Sequence, residues 1–103
     1  MEAIELHDAL LKKIEIDIMS STVVIYIEYY HDAINNSRIP ARITLGGVSS
    51  ITGLLNLYSI NKNSWAGNIN YFAQASSDSP FYLYLVEGCI AICAESVDLV
   101  QEK

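Results

Sequence analysis

Few residues in this chain have side chains suited to chemistry. His7 and His31 are the only histidines, and each precedes an aspartate, as His7-Asp8 and His31-Asp32. Cys89 and Cys93 are the only cysteines. Zinc needs three or four convergent ligands at recognisable spacing, and none of the standard patterns occurs, so no metal site is expected. A nucleophilic cysteine needs an electropositive surrounding that lowers its pKa. Both thiols instead lie in the apolar run Gly88-Cys89-Ile90-Ala91-Ile92-Cys93, which reads as a core strand. On a strand they would stand about 13 Å apart, too far for a disulfide. They are expected to face inward as small hydrophobes, a usage that suits a reducing cytosol. No serine lies in a Gly-x-Ser-x-Gly turn, and Gly46-Gly47 is not followed by Lys-Ser or Lys-Thr, so the nucleophile elbow and the phosphate loop are both missing. Glu15 and Asp17 would share a strand face about 7 Å apart, a spacing that paired catalytic carboxylates tolerate. Without a concave site they read as a solvated face. The expectation is no catalytic residue, no cofactor and no enzyme.

The elements that position these residues come from a chain of 103 residues, 51% of them hydrophobic and 17% charged. That length suits one domain spanning 1–103, with enough apolar material to bury a core. No apolar run approaches the roughly 18 to 20 residues that cross a bilayer. Met1-Glu2-Ala3-Ile4-Glu5 is acidic where a secretory signal would be basic, which points to a cytoplasmic protein. Twelve acidic residues against six Lys and Arg give a formal charge of −6. That balance disfavours nucleic acid or an anionic membrane as partner and permits a basic protein. Solubility alone also accounts for an acidic chain.

Hydrophobic periodicity is two along most of the sequence. The exception is Ile4 to Lys13, where Leu6, Leu10, Lys13 and Ile14 predict a short N-terminal helical segment, with His7-Asp8 near its start. Residues 14–19 alternate, and Thr22 to Tyr30 is β-branched and aromatic. A tight turn at Ser20-Ser21 would pair Ile18 with Val23, Ile16 with Ile25 and Ile14 with Ile27, all on one face. The opposite face would then set Asp17 against Val24, Glu15 against Tyr26 and Lys13 against Glu28. Ala41 to Leu45 reads as a third strand ending at Gly46-Gly47, and residues 48–60 fit either a bulged strand or a short helix. A strand near Gly67 to Ala75 and a closing hairpin, Phe81 to Val86 with Cys89 to Glu95, complete the set. A two-residue loop at Glu87-Gly88 would pair Leu85 with Ile90 and Leu83 with Ile92. The fold class expected is mainly β, an antiparallel sandwich or partly open barrel of six or seven short strands.

Binding candidates gather on the first hairpin. Glu15, Asp17, Tyr26 and Glu28 fall on its outer face, and Tyr30 and Asp32 follow at its end. Tyrosine with acidic neighbours suits an interface that meets Arg or Lys, although Tyr26 fits a core position equally well if a second layer covers the face. Seven tyrosines against two phenylalanines tilt the composition toward amphipathic aromatic surface. Trp65, in the turn-like stretch Asn63 to Gly67, either anchors a loop on the core or offers a contact. Asp78 lies in the polar loop Ser76 to Pro80.

Two stretches carry a resemblance. Leu6-His7-Asp8-Ala9-Leu10-Leu11, followed by the alternating Ile14 to Ile18 run, resembles the opening of small bacterial immunity proteins of polymorphic-toxin systems, of the contact-dependent growth inhibition type. Phe81 to Ala94, with Glu87-Gly88-Cys89-Ile90-Ala91-Ile92 leading into Ser96-Val97-Asp98, is similar to the ending of the same group. The resemblance implies a cytosolic monomer that binds and neutralises a cognate toxin domain. That toxin would be a basic protein, a nuclease of ribonuclease type. Immunity families share no catalytic signature, so no functional residue is carried over. The alternative expectation is a structural or assembly subunit that forms a homo-oligomer through its strand edges.

Overall fold

The computed structural model describes residues 6–30, 37–62 and 68–101, and within them the chain is mainly β. The strands are β1 (Leu10–Asp17), β2 (Thr22–Tyr29), β3 (Ile39–Gly46), β4 (Ser50–Leu55), β5 (Ile69–Gln74), β6 (Phe81–Leu85), β7 (Gly88–Cys93) and β8 (Ser96–Gln101). One short helix, α1 (Leu57–Lys62), follows β4. Two antiparallel four-stranded sheets result, ordered β1-β2-β3-β8 and β4-β7-β6-β5. Among the described residues no helix is long and apolar enough to cross a membrane.

Alternation writes the core. Val23, Ile25, Ile27 and Tyr29 of β2 are buried while the residues between them are half-buried. Ala41, Ile43 and Leu45 do the same in β3, as do Phe81, Leu83 and Leu85 in β6. These side chains, with Ile69, Phe72, Ile90 and Ile92, make one cluster fed by both sheets. Phe72 and Phe81 stack within it, ring centroids 5.8 Å apart.

Two chain segments change sheet together. Residues 39–55 leave one sheet as β3 and enter the other as β4, and residues 88–101 do so in reverse as β7 and β8. They stay paired through the bend: Glu95 N donates to Gly46 O at 2.9 Å, and Ser49 N to Cys93 O at 2.8 Å. Gly47 takes φ +60°, a left-handed conformation that favours glycine, and a Cβ there would push the exposed Glu95 side chain aside. On another side, Asp8 N donates to Ile69 O and Ile69 N to Ala9 O, at 3.0 and 2.7 Å, and Leu10 bridges Asn68.

Several expectations are corrected. The helical segment expected over Ile4 to Lys13 is, where described, a turn and then a strand. Ala9 N donates to Leu6 O, Asp8 is left-handed at φ 67°, and β1 begins at Leu10. The apolar spacing there reflects Leu6 and Ala9 dropping into the core beside the β5 bridge rather than a helical face. The first hairpin pairs Ile14 with Ile25 and Ile16 with Val23, two residues from the expected register. The cause is a longer turn. Asp17 Oδ1 accepts from Ser20 N at 3.2 Å and Ser21 is left-handed at φ 54°, so Ile18 and Met19 join the loop.

A two-residue shift keeps every side chain on its expected face. It also strands Ile18, which is 83% exposed, and leaves Ile16 58% exposed at an edge that no described strand covers. Ile14 is half-buried. The last hairpin slips likewise, Leu85 pairing with Gly88 and Leu83 with Ile90. Residues 48–60 contain both structures that were open, β4 and then α1. Asn56 caps the helix by accepting from Ser59 N at 3.0 Å. Eight strands exceed the expected six or seven, because Ser96–Gln101 forms β8. Cys89 and Cys93 lie in β7 as free thiols, yet on the face opposite Ile90 and Ile92: both are half-buried on the outside of their sheet.

Urea unfolding tests this assignment. Ile25→Ala should cost about 2–5 kcal/mol and Ile18→Ala less than about 0.5 kcal/mol. Gly53, at φ +134° with the Cys89 carbonyl where a Cβ would sit, should lose at least about 1–3 kcal/mol as Gly53→Ala. Equal costs at Ile25 and Ile18 would refute the register.

Candidate surfaces for a partner

The first hairpin brings two of the expected residues into direct contact. Tyr26 Oη donates to Glu15 Oε1 at 2.7 Å, and Lys13 Nζ lies 3.1 Å from Glu15 Oε2 and 5.0 Å from the centre of the Tyr26 ring. The expected Lys13–Glu28 pair is thereby replaced by Lys13–Glu15, a consequence of the longer turn. Tyr26 is half-buried on the outer face, so its role as a core residue is excluded by its position across from Lys13 and Arg42. The hydrogen bond from Tyr26, and then that from Lys13, hold the Glu15 carboxyl below its ordinary value. The same Glu15 contact raises the Tyr26 phenol and the Lys13 ammonium.

The other expected residues spread out. Glu28 is half-buried on the same face, across from Leu10 and Pro40. Asp17 ends β1 and is tied into the turn. Tyr30, 41% exposed, carries the Arg38 guanidinium 4.8 Å above its ring, and Arg38 also donates to the Asp8 carbonyl at 2.9 and 3.1 Å. Asp78 is exposed in the β5–β6 loop of the other sheet. Asp32 and Trp65, with His31, lie outside the described residues. The outer face of the first sheet is mixed: Lys13 and Arg42 stand among Glu15, Asp17, Glu28 and Asp98.

A second surface was missed. The strands β4, β5, β6 and β7 contain no charged residue, whereas β1, β2, β3 and β8 all carry at least one. On the outer side of the uncharged sheet Tyr71 and Tyr84 meet with ring centroids 4.8 Å apart, and Tyr82 and Tyr84 at 5.8 Å. Beyond them, Leu54 sits across from Cys89 and Thr52 across from Ala91. Leu54 is 77% and Tyr71 49% exposed. Desolvation, and then Tyr71, raise the Tyr84 phenol. The signal was readable: Phe81-Tyr82-Leu83-Tyr84-Leu85 alternates aliphatic or phenyl groups inward with tyrosine outward, and no charge falls between Ile69 and Gln74. No described group of three or more His, Cys, Asp or Glu is placed to hold a metal.

Tyr26→Phe tests the hairpin cluster by carboxyl NMR titration. Glu15 should move up toward its ordinary 4.5. The sign follows from the depressed folded value: any stability from the contact is present above the unfolded pKa and lost as pH falls through the folded one. An unmoved Glu15 midpoint would dismiss the Tyr26 bond as the main cause.

No family model, curated protein or solved structure matches this chain.

Proposed function

We propose that this chain is a non-catalytic protein-binding domain whose contact surface is the outer face of the β4-β7-β6-β5 sheet. Within that class, it acts as an immunity protein that neutralises a toxin domain in the cytosol. The observation that carries the binding reading is the segregation of charge between the two sheets. A solvated sheet face normally carries charged residues, and a continuous apolar and aromatic patch marks an interaction site. Depletion of charge with enrichment of tyrosine is the composition of an interface centre. The narrower immunity reading is supported by the sequence resemblance. The net charge of −6 favours a basic partner, which the acidic residues of the first hairpin would attract.

The architecture that serves this role is read as a partly open barrel. The shared corner of residues 39–55 and 88–101 and the bridge of β1 to β5 favour that closure over two independent layers. A homo-oligomer is the second reading, favoured by the same uncharged face and by β4, an edge strand without a neighbour on its far side among the described residues.

Co-expression with a toxin domain, sought in the genes adjoining the one for this chain, tests the proposal. Growth should be restored by the wild type and by Glu15→Lys with Glu28→Lys, and should fail with Leu54→Asp plus Tyr71→Asp. Both of the latter sites are exposed, so circular dichroism should be unchanged. Binding affinity should fall at least about tenfold, as expected for an interface centre. Loss of protection with the hairpin pair alone would move the contact to the first sheet. Sedimentation that shows self-association, abolished by Leu54→Asp, with no protection by the wild type would establish the oligomer.

A further inference from the structure

The two sheets part along one side. Among the described residues, the far edge of β1 has bonds to β5 only at its start, and the far edge of β4 has no neighbouring strand. Between them runs a slot of about 350 Å³, walled by Leu11, Ile14 and Ile16 of β1 and by Ile51 and Leu55 of β4. Leu57 and Ile60 of α1 cover part of it, and it reaches down to core side chains of β2 and β7. A second hollow of about 230 Å³ shares Ile16, Val23 and Ile51 with the first. The slot is therefore elongated. It is closed at one end by the β1–β5 bridge and at the other by the 2.8 Å bond from Val48 N to Ser21 O.

Among the described residues, Lys12 and Lys13 are the charged residues that line the larger hollow, and Asp17 lines the far end of the smaller one, away from Lys12. Lys13 is held by Glu15 and Tyr26. Lys12 falls in the β-bulge between Leu11 and Lys13, near the bridged end of the slot, and makes no ion pair with any described residue. An apolar slot with one unengaged ammonium at its rim matches an apolar chain that ends in an anion.

We propose that this slot binds a medium-chain carboxylate, a fatty acid whose tail lies between β1 and β4 and whose carboxylate meets Lys12. The volume suits that size, equal to about a dozen water-sized groups at roughly 30 Å³ each. An extended peptide suits it less well. The bulge at Lys12 breaks the hydrogen-bond spacing of the β1 edge. That bulge obstructs strand addition on β1, whereas an acyl chain needs no backbone register. The site is separate from the outer tyrosine face, so either can exist without the other.

Sodium decanoate, held below its micelle concentration, is the probe, with decanol and decyltrimethylammonium as comparators. Methyl NMR should show saturable one-to-one binding, with shifts centred on Ile14, Ile51, Leu55 and Ile60. Lys12→Glu should weaken decanoate about fivefold to tenfold and leave decanol unchanged. Ile60→Phe, on the partly exposed helix, should abolish binding of both. If that variant unfolds, Lys12→Glu still decides. Absence of slot shifts with decanoate, equal affinity for the cationic comparator, or indifference to Lys12→Glu would each overturn the proposal. Slot methyls that respond to a protein partner and to none of the amphiphiles would overturn it too.

Discussion

The shared corner is the constraint from which the rest of this structure follows. Two paired segments, 39–55 and 88–101, bend together at Gly46-Gly47 and Ala94-Glu95, and their hydrogen bonds continue through the bend. A bent pair cannot lie in one flat sheet. It must deliver β3 and β8 to one sheet and β4 and β7 to the other, with the inner faces of both turned toward a single core. The backbone alone therefore decides which face of each strand is buried. Ile43 and Leu45 before the corner and Ile90 and Ile92 across it meet in the same cluster because the pairing never breaks. Gly47 sits at the bend with φ +60°, a left-handed backbone that favours glycine.

The same constraint explains the opening on the other side. β1 and β4 are the edges that the corner leaves unjoined, and β1 reaches across only at Leu10, to Asn68. Residues on the inner side of β1 beyond that bridge lose their cover progressively. Leu11 and Ile14 are half-buried and Ile16 is exposed, as is Ile18 in the turn that follows. Exposed isoleucines next to a core are costly in water, roughly 25 cal/mol for each Å² left uncovered. Their retention at an edge, beside Leu57 of α1, is what a site awaiting an apolar occupant would require.

Periodicity made the faces legible before the registers. Val23, Ile25, Ile27, Leu83, Leu85, Ile90 and Ile92 read as core from alternation and are core, whereas Ile14, Ile16 and Ile18, read the same way, are half-buried or exposed. The registers slipped in both hairpins by two residues: in the first because the Asp17 to Ser20 N bond lengthens the turn, in the last because the two-residue loop is Val86-Glu87 and not Glu87-Gly88. Alternation cannot detect such a slip, since a shift of two returns each side chain to its own face. Cys89 and Cys93 were misplaced for a different reason. In an uncharged strand both faces are apolar, and hydrophobicity no longer says which one points inward. Ser96–Gln101 was missed because Ser96, Asp98 and Val100 mix polar and apolar groups on the outer side, hiding the inward Val97 and Leu99. Of the candidate surface, the Glu15–Tyr26 contact was foreseen and survives the register shift as a diagonal pair, while the tyrosines of β5 and β6 were not.

The two outer faces act at different ranges, which limits what the acidic charge can do. At physiological salt the Debye length is about 8 Å, and the shortest principal extent of the molecule is 25 Å. Charges on the outer side of the β1-β2-β3-β8 sheet are thus screened over about three Debye lengths before their field reaches a partner seated on the tyrosine face. Glu15, Asp17 and Glu28 can bias the approach of a basic protein to their own side of the molecule, yet they add little to its hold on the other. Affinity at an uncharged face comes from apolar area and aromatic packing, which salt hardly weakens. A partner that binds through Leu54, Tyr71 and Tyr82 should therefore dissociate at a rate nearly independent of salt. One that binds through Glu15 and Glu28 would be salt-sensitive in association. The salt dependence of the two rate constants separates the faces without any mutation, because screening acts on one of them and leaves the other untouched.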